Sequence, residues 1–93
     1  MVPVRALIHP KVRFIANQEG AVLLHLERGR YESLNGAGAA VWSDIMSGAS
    51  SEEIVSRLCH RFPQARQDRV ESDVARFMSD LVSRGLVTLE PLP

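Results

Sequence analysis

The spacing of the apolar side chains changes at Asn35, and this change constrains the fold more than any other feature of the sequence. Before Asn35, residues 12–16, 21–26 and 31–34 are rich in apolar and β-branched side chains, and short turn sequences separate them. Connections that short join antiparallel neighbours, so we expect a three-stranded antiparallel sheet. After Asn35 the apolar residues recur every three or four positions, which is typical of helices. Strands followed by helices indicate an α+β, winged-helix-like fold.

Three helix starts follow the predicted sheet. Asn35 is a suitable N-cap for a first helix that ends near Met46. Ser50 and Glu53 have the spacing of a capping box, so a second helix begins there and ends at Pro63. The third helix is predicted over residues 69–84 with Asp68 as its cap. It carries the broadest apolar stripe of the chain.

The two ends of the chain carry weaker signals. Pro3 and Pro10 interrupt the apolar residues of the N terminus, which does not have the form of a signal peptide. Residues 86–89 fit either a short strand or a simple tail. With 93 residues the chain has room for one domain, 1–93, whose core we place at about 12–88. A single cysteine suits a reducing compartment, so we expect a cytoplasmic protein.

No combination of side chains in the sequence indicates catalysis, a metal site or a cofactor. Cys59 and His60 are adjacent, and neighbours on a helix point about 100° apart, so they cannot ligate one ion together. Cys59 is expected to be a buried thiol, because it lies among apolar helix positions. The three histidines lie in unrelated elements. We therefore expect a protein that is not an enzyme and that holds no metal or cofactor.

The charge distribution argues against a nucleic-acid partner. Eleven basic and eleven acidic residues give a formal net charge of zero. The balance holds within the third helix, which carries Arg69, Arg76 and Arg84 against Glu71, Asp73 and Asp80. A recognition helix without net positive charge is a poor match for DNA. No apolar run approaches the ~20 residues of a membrane-spanning helix, so no membrane partner is expected either.

Three stretches of the sequence resemble the PqqD-like family. They are Gly29-Arg30-Tyr31-Glu32-Ser33-Leu34-Asn35-x-x-Gly38-Ala39-x-Val41-Trp42, then Gly48-x-Ser50-x-x-Glu53-Ile54-Val55-x-x-Leu58, then Val70-Glu71-x-Asp73-Val74-x-x-Phe77-x-x-x-Leu81-x-x-x-Gly85-Leu86-Val87. The resemblance spans roughly residues 12–88. It implies a non-catalytic recognition element that binds the leader segment of a ribosomal precursor peptide and presents it to a leader peptidase or another maturation enzyme.

The stretch around Gly29–Asn35 looks most similar to the free-standing leader-binding proteins of lasso peptide biosynthesis. The peptide chaperone of pyrroloquinoline quinone biosynthesis is the alternative within the same family. A winged-helix nucleic-acid binder is a further alternative, based on fold alone.

The predicted binding site lies between the third strand and the third helix. A three-stranded meander leaves that strand with one free edge, to which an extended peptide can add. The candidate residues are Tyr31, Glu32, Ser33 and Leu34 of the strand and Val70, Asp73, Val74, Arg76, Phe77 and Leu81 of the helix. A domain of this size needs most of its large apolar residues inside, so a role in the core is favoured over one in the groove for Phe77, Leu81 and Trp42.

Overall fold

Five strands and three helices make up the computed structural model, which describes residues 3–92. In chain order they are β1 Val4–Ile8, β2 Val12–Asn17, β3 Gly20–His25, β4 Arg30–Asn35, α1 Gly36–Met46, α2 Ser51–Arg61, α3 Gln67–Ser83 and β5 Val87–Pro91. The α+β prediction, with a three-stranded antiparallel sheet followed by three helices, is confirmed. The predicted strands correspond to β2, β3 and β4, and a second, two-stranded sheet accompanies them.

The three-stranded sheet has the order β2-β3-β4, with both pairs antiparallel. A two-residue turn joins β2 to β3, and Gly20 begins β3 with φ 152°. A Cβ atom at Gly20 would lie 1.9 Å from the Leu34 carbonyl oxygen of β4. Glycine at this position therefore allows β3 and β4 to pair up to the last residue of β4.

The second sheet pairs the two ends of the chain. β1 and β5 are antiparallel, with Val4 opposite Pro91 and Ile8 opposite Val87. Residues 87–89 thus belong to a strand rather than to a tail, and Leu86 directly precedes that strand. β1 was not predicted, because the prolines that flank it mask its short apolar run; both lie just outside the strand, where the missing N–H costs no ladder bond. Ala6 of β1 is buried in the core, so packing begins before residue 12.

The helix starts show one wrong prediction among three. The Asn35 side chain accepts a hydrogen bond from the Gly38 N–H (2.8 Å), and Ser50 and Glu53 form the full capping box. Asp68, however, is not the cap of α3. The helix begins at Gln67, Arg66 takes the cap position without a side-chain hydrogen bond, and the Asp68 carboxylate lies inside the first turn. There a negative charge is favourable beside the helix N terminus without capping it.

The core lies between the three-stranded sheet and the helices. Leu23 of β3, Trp42 of α1, Ile54 of α2 and Met78 of α3 are its largest fully buried side chains. Cys59 packs against the edge of this core but is only half-buried, so the prediction of a fully buried thiol is wrong. Within residues 3–92, none of the helices is long and apolar enough to cross a membrane.

Candidate functional site

An apolar cavity of about 450 Å³ opens where β4, α1 and α3 meet. It is lined by Ser33, Leu34 and Asn35 of β4, Ala37, Gly38 and Val41 of α1, Leu58 of α2, Phe62 and Ala65 after α2, and Val70, Asp73, Val74 and Phe77 of α3. Asp73 is its only charged lining residue. We call this space the apolar compartment.

A smaller cavity of about 140 Å³ continues from the apolar compartment along β4 and α3. The two cavities share Ser33, Leu34 and Phe77, and Glu32, Asp80, Leu81, Arg84 and Leu86 complete the lining of the second. We call the second space the charged compartment. Together the two compartments form one groove, with β4 as one wall and α3 as the other.

The free edge of β4 follows from the hydrogen bonds of β3. The Leu26 N–H donates to the Lys11 carbonyl (2.9 Å), at the end of the β2–β3 ladder. Backbone groups alternate in direction along a strand, so the even-numbered residues of β3 bond to β2 and the odd-numbered ones to β4. In β4 the N–H and C=O groups of Tyr31, Ser33 and Asn35 therefore point away from β3. Among residues 3–92, no strand pairs with this edge.

Side chains of β4 alternate between the groove and the outer face of the sheet. Glu32 and Leu34 are half-buried and line the groove. Tyr31 lies on the opposite face, where it is 68% exposed, and it lines neither compartment. Tyr31 thus offers its backbone to the free edge, whereas its ring lies outside both compartments.

Two ion pairs set the charge of the groove. The Arg84 guanidinium donates to the Glu32 carboxylate and so links the end of α3 to β4 across the charged compartment. Asp73 pairs with Arg69, one turn earlier on α3, at 3.4 Å. Asp80 has no ion-pair partner in the described part of the chain. Three carboxylates and one guanidinium therefore line the groove.

Eight of the ten residues predicted from sequence meet in this groove. They are Glu32, Ser33, Leu34, Val70, Asp73, Val74, Phe77 and Leu81. Arg76 is exposed and, like Tyr31, lines neither compartment. Helical spacing gives the reason, because Arg76 is one residue from Phe77 and two from Val74, and residues at these spacings point to different sides of a helix.

The choice between groove and core is different for each apolar candidate. Trp42 belongs to the core and not to the groove, since it is 1% exposed and lines neither compartment. Val74 and Leu81 belong to the core and also form the floor of the groove. Phe77 is half-buried and shared by both compartments, so it is the residue of α3 that most resembles a groove wall.

Several residues that line the groove were not predicted as site residues, because their sequence patterns indicate helix packing rather than binding. Ala37 and Gly38 are small residues that carry no side-chain signal for binding. A Cβ atom added at Gly38 would lie 3.5 Å from the Leu34 Cβ, which is an ordinary contact distance. Phe62 continues the four-residue apolar spacing of α2 in sequence, but the helix ends at Arg61 and Phe62 is 47% exposed.

A third cavity, of about 490 Å³, lies outside the groove between α2 and the start of α3. It is mostly polar and includes Glu52, Cys59, His60 and Glu71. Over residues 3–92, no three histidine, cysteine or acidic side chains are grouped so as to hold a metal ion.

A known protein family matches most of the chain. The sequence profile of the family described as "Coenzyme PQQ synthesis protein D (PqqD)" matches residues 20–87. The chain belongs to the PqqD family. No curated protein matches the sequence of this family member.

Two solved structures resemble this PqqD-family chain. The first is described as "TbiB1 in Complex with the TbiA(beta) Leader Peptide"; it is 31% identical, has a TM-score of 0.83, and the match covers 87% of this chain and 93% of that one. The second is described as "Lasso peptide synthetase B1 complexed with the leader peptide", with 21% identity, a TM-score of 0.78, and coverage of 91% and 96%. At that identity the second match shows the shared fold.

Proposed function

We propose that this chain is a non-catalytic recognition element that binds the leader segment of a ribosomal precursor peptide in the groove. The leader adds to the free edge of β4 as a further strand. The observation that carries the proposal is the position of this edge, where the outward backbone groups of Ser33 lie beside the apolar compartment. The structure at 31% identity, a complex with a leader peptide, supports it.

The two parts of the groove contribute differently to binding. A backbone hydrogen bond adds a net ~0.5–1.5 kcal/mol, whereas fixing one peptide residue costs ~1–2 kcal/mol. The strand ladder alone therefore does not hold a flexible leader. Burying one large apolar side chain in the apolar compartment adds ~1.5–3 kcal/mol. The backbone edge sets direction and register, and the compartments supply affinity and specificity.

The bound leader is then presented to a leader peptidase or another maturation enzyme, in our proposal during lasso peptide biosynthesis in the cytoplasm. The resemblance of Gly29–Asn35 to lasso leader-binding proteins supports the lasso assignment, and the second structural neighbour is described as a lasso peptide synthetase. The family description favours a second candidate, in which the chain is the peptide chaperone of pyrroloquinoline quinone biosynthesis. Both candidates use the same groove and need no cofactor on this chain.

The test of leader binding is a fluorescence anisotropy titration of the full chain. The probes are labelled synthetic peptides that cover the first half of each short open reading frame near the gene, with a scrambled version of each as the control. We expect one native peptide to saturate at micromolar or lower concentration and its scrambled version not to bind. Duplex DNA is titrated in parallel at two salt concentrations. Tight, salt-sensitive DNA binding without peptide binding would contradict the proposal.

A further inference from the structure

We propose that the groove selects a leader with an apolar side chain followed, two residues towards the C terminus, by a basic side chain. This apolar-x-basic pattern rests on the proposed function, because it assumes that the leader adds to β4 as a strand. It goes beyond that function by stating which side chains the occupant carries, in which order and at what spacing.

The spacing follows from the pairing rules of the sheet. Residues directly opposite each other on paired strands place their side chains on the same face. Because Leu34 and Glu32 face the groove, the two leader residues opposite them also face the groove. Leu34 and Glu32 are two positions apart, so the two leader residues are two positions apart as well. The leader residues opposite Tyr31 and Ser33 point to the outer face of the sheet.

The chemistry of each position follows from its compartment. The leader side chain opposite Leu34 enters the apolar compartment, where Val41, Val74 and Phe77 surround it. The leader side chain opposite Glu32 enters the charged compartment. A basic group there forms a cross-strand pair with the Glu32 carboxylate. It also meets the Asp80 carboxylate, which has no ion pair of its own because Arg84 pairs with Glu32.

The overall charge of the groove points the same way. Glu32 pairs with Arg84 and Asp73 pairs with Arg69, so Asp80 is the groove carboxylate without an ion-pair partner among residues 3–92, and the groove keeps a net negative charge. An acidic leader residue opposite Glu32 would face a like charge across the strands, which is unfavourable. Complementarity of charge thus selects a basic residue and excludes an acidic one.

The order of the two residues follows from strand direction. Antiparallel pairing is slightly more stable per residue than parallel pairing. A leader antiparallel to β4 starts beside Asn35 and runs towards Arg30, so it reaches the apolar compartment before the charged one. This direction gives apolar-x-basic, whereas a parallel leader would give basic-x-apolar.

The test is selection of random ten-residue peptides, displayed on phage, against the full chain. We expect the enriched peptides to share an apolar-x-basic pattern, and a Lys→Ala change in them to weaken binding about two- to fivefold. Enriched peptides that bind the β4 edge without a basic residue at this spacing would overturn the inference and leave the proposed function intact. If every enriched peptide binds Ser33→Pro as tightly as the unchanged protein, strand addition is contradicted, and the proposed function is contradicted with it.

Two variants connect the preference to the charged compartment. In Glu32→Gln the two- to fivefold difference between Lys and Ala peptides should largely disappear. Glu71→Gln, on the side of α3 that faces the polar cavity, is the matched control and should keep the difference. The double change Glu32→Arg with Arg84→Glu exchanges the ion-pair partners and should reduce the preference for Lys. A preference unchanged in Glu32→Gln, with the thermal midpoint retained, would overturn the inference.

Discussion

The Arg84 guanidinium, one residue beyond α3, donates a hydrogen bond to the Glu32 carboxylate of β4. These residues are 52 positions apart in sequence and join the two walls of the groove at one end. Because the pair lies within the charged compartment, it holds the groove together and also takes part in its recognition surface.

Loss of this ion pair should lower stability only slightly. Arg84→Met is expected to reduce the free energy of unfolding by about 0.5–1 kcal/mol, since both groups are partly exposed to solvent. Arg66→Met is the matched control, because its pair with Asp68 lies on the exposed surface and links neighbours along the chain. Urea unfolding of both variants checks this difference. Equal losses would mean that the Glu32–Arg84 contact contributes nothing specific.

A proline at Ser33 should abolish peptide binding while the protein stays folded. The Ser33 N–H points to the free edge, so proline removes a group that β3 does not use. The control is Ala16→Pro, because Ala16 has the equivalent outward position on β2, at the other edge of the sheet. We expect at least a tenfold loss of affinity for Ser33→Pro and none for Ala16→Pro in anisotropy titrations. Full binding by folded Ser33→Pro would contradict strand addition.

A charge at Phe77 and a charge at Val74 should have different effects. Phe77 is half-buried and open to the groove, so Phe77→Asp should weaken leader binding with a modest loss of thermal midpoint. Val74 is 2% exposed, and a carboxylate there would lie in the core, so Val74→Asp should unfold the chain. Thermal melts monitored by circular dichroism, together with binding, separate the two. If Phe77→Asp unfolds as readily as Val74→Asp, Phe77 is a core residue and does not form the groove wall.

Alanine at Gly20 should destabilise the sheet by about 1–3 kcal/mol or more, because φ is positive there and the new Cβ would collide with the Leu34 carbonyl. Gly36→Ala is the control, because Gly36 begins α1 and a Cβ atom added to it would meet no other atom within 4 Å. That change should be neutral or stabilise by about 0.4–1 kcal/mol. Chemical denaturation of the two variants gives the comparison, and a neutral Gly20→Ala would contradict the tight contact between β3 and β4.

Stability should also fall in acid through the capping box of α2. The hydrogen bond from the Ser50 backbone N–H lowers the pKa of Glu53 below its ordinary value, with a further contribution from the Ser50 side chain. A carboxyl whose pKa is lower in the folded state stabilises the fold above its unfolded pKa, and this contribution disappears as pH falls through the folded pKa. Glu53→Gln should therefore flatten the dependence of stability on pH in the acid range. An unchanged slope in urea titrations at several pH values would rule out this contribution.

Much of the fold was predictable because its signals are local. Asn35 and the Ser50–Glu53 pair mark helix starts by side-chain chemistry alone, and α1 and α2 begin where these residues indicate. Asp68 was misassigned because an acidic residue is favourable both at the cap and within the first turn, and sequence does not distinguish these positions. β1 was missed because its partner, β5, lies some eighty residues away, and a contact between residues that far apart leaves no local signal in the sequence.

The candidate site shows the same limit. The stripe of Val70, Val74 and Phe77 is periodic in sequence, so its shared face could be predicted. The side of β4 on which Tyr31 falls could not, because it depends on the register with β3. Phe62 joins the groove only because the chain turns after α2.

The pairing of β1 with β5 has a consequence for engineering, since the Leu92 N–H donates to the Pro3 carbonyl at 3.1 Å. Ends that meet can be joined by a short linker and the chain reopened elsewhere. The exposed turn between β3 and β4 is a suitable opening. In such a permutant the groove-edge strand would come first in the chain, held to its neighbour by hydrogen bonds and packing without a covalent turn. Comparison of this permutant with the original chain would show how much the covalent turn contributes to holding β4 in place, and hence to the readiness of the groove to accept a strand.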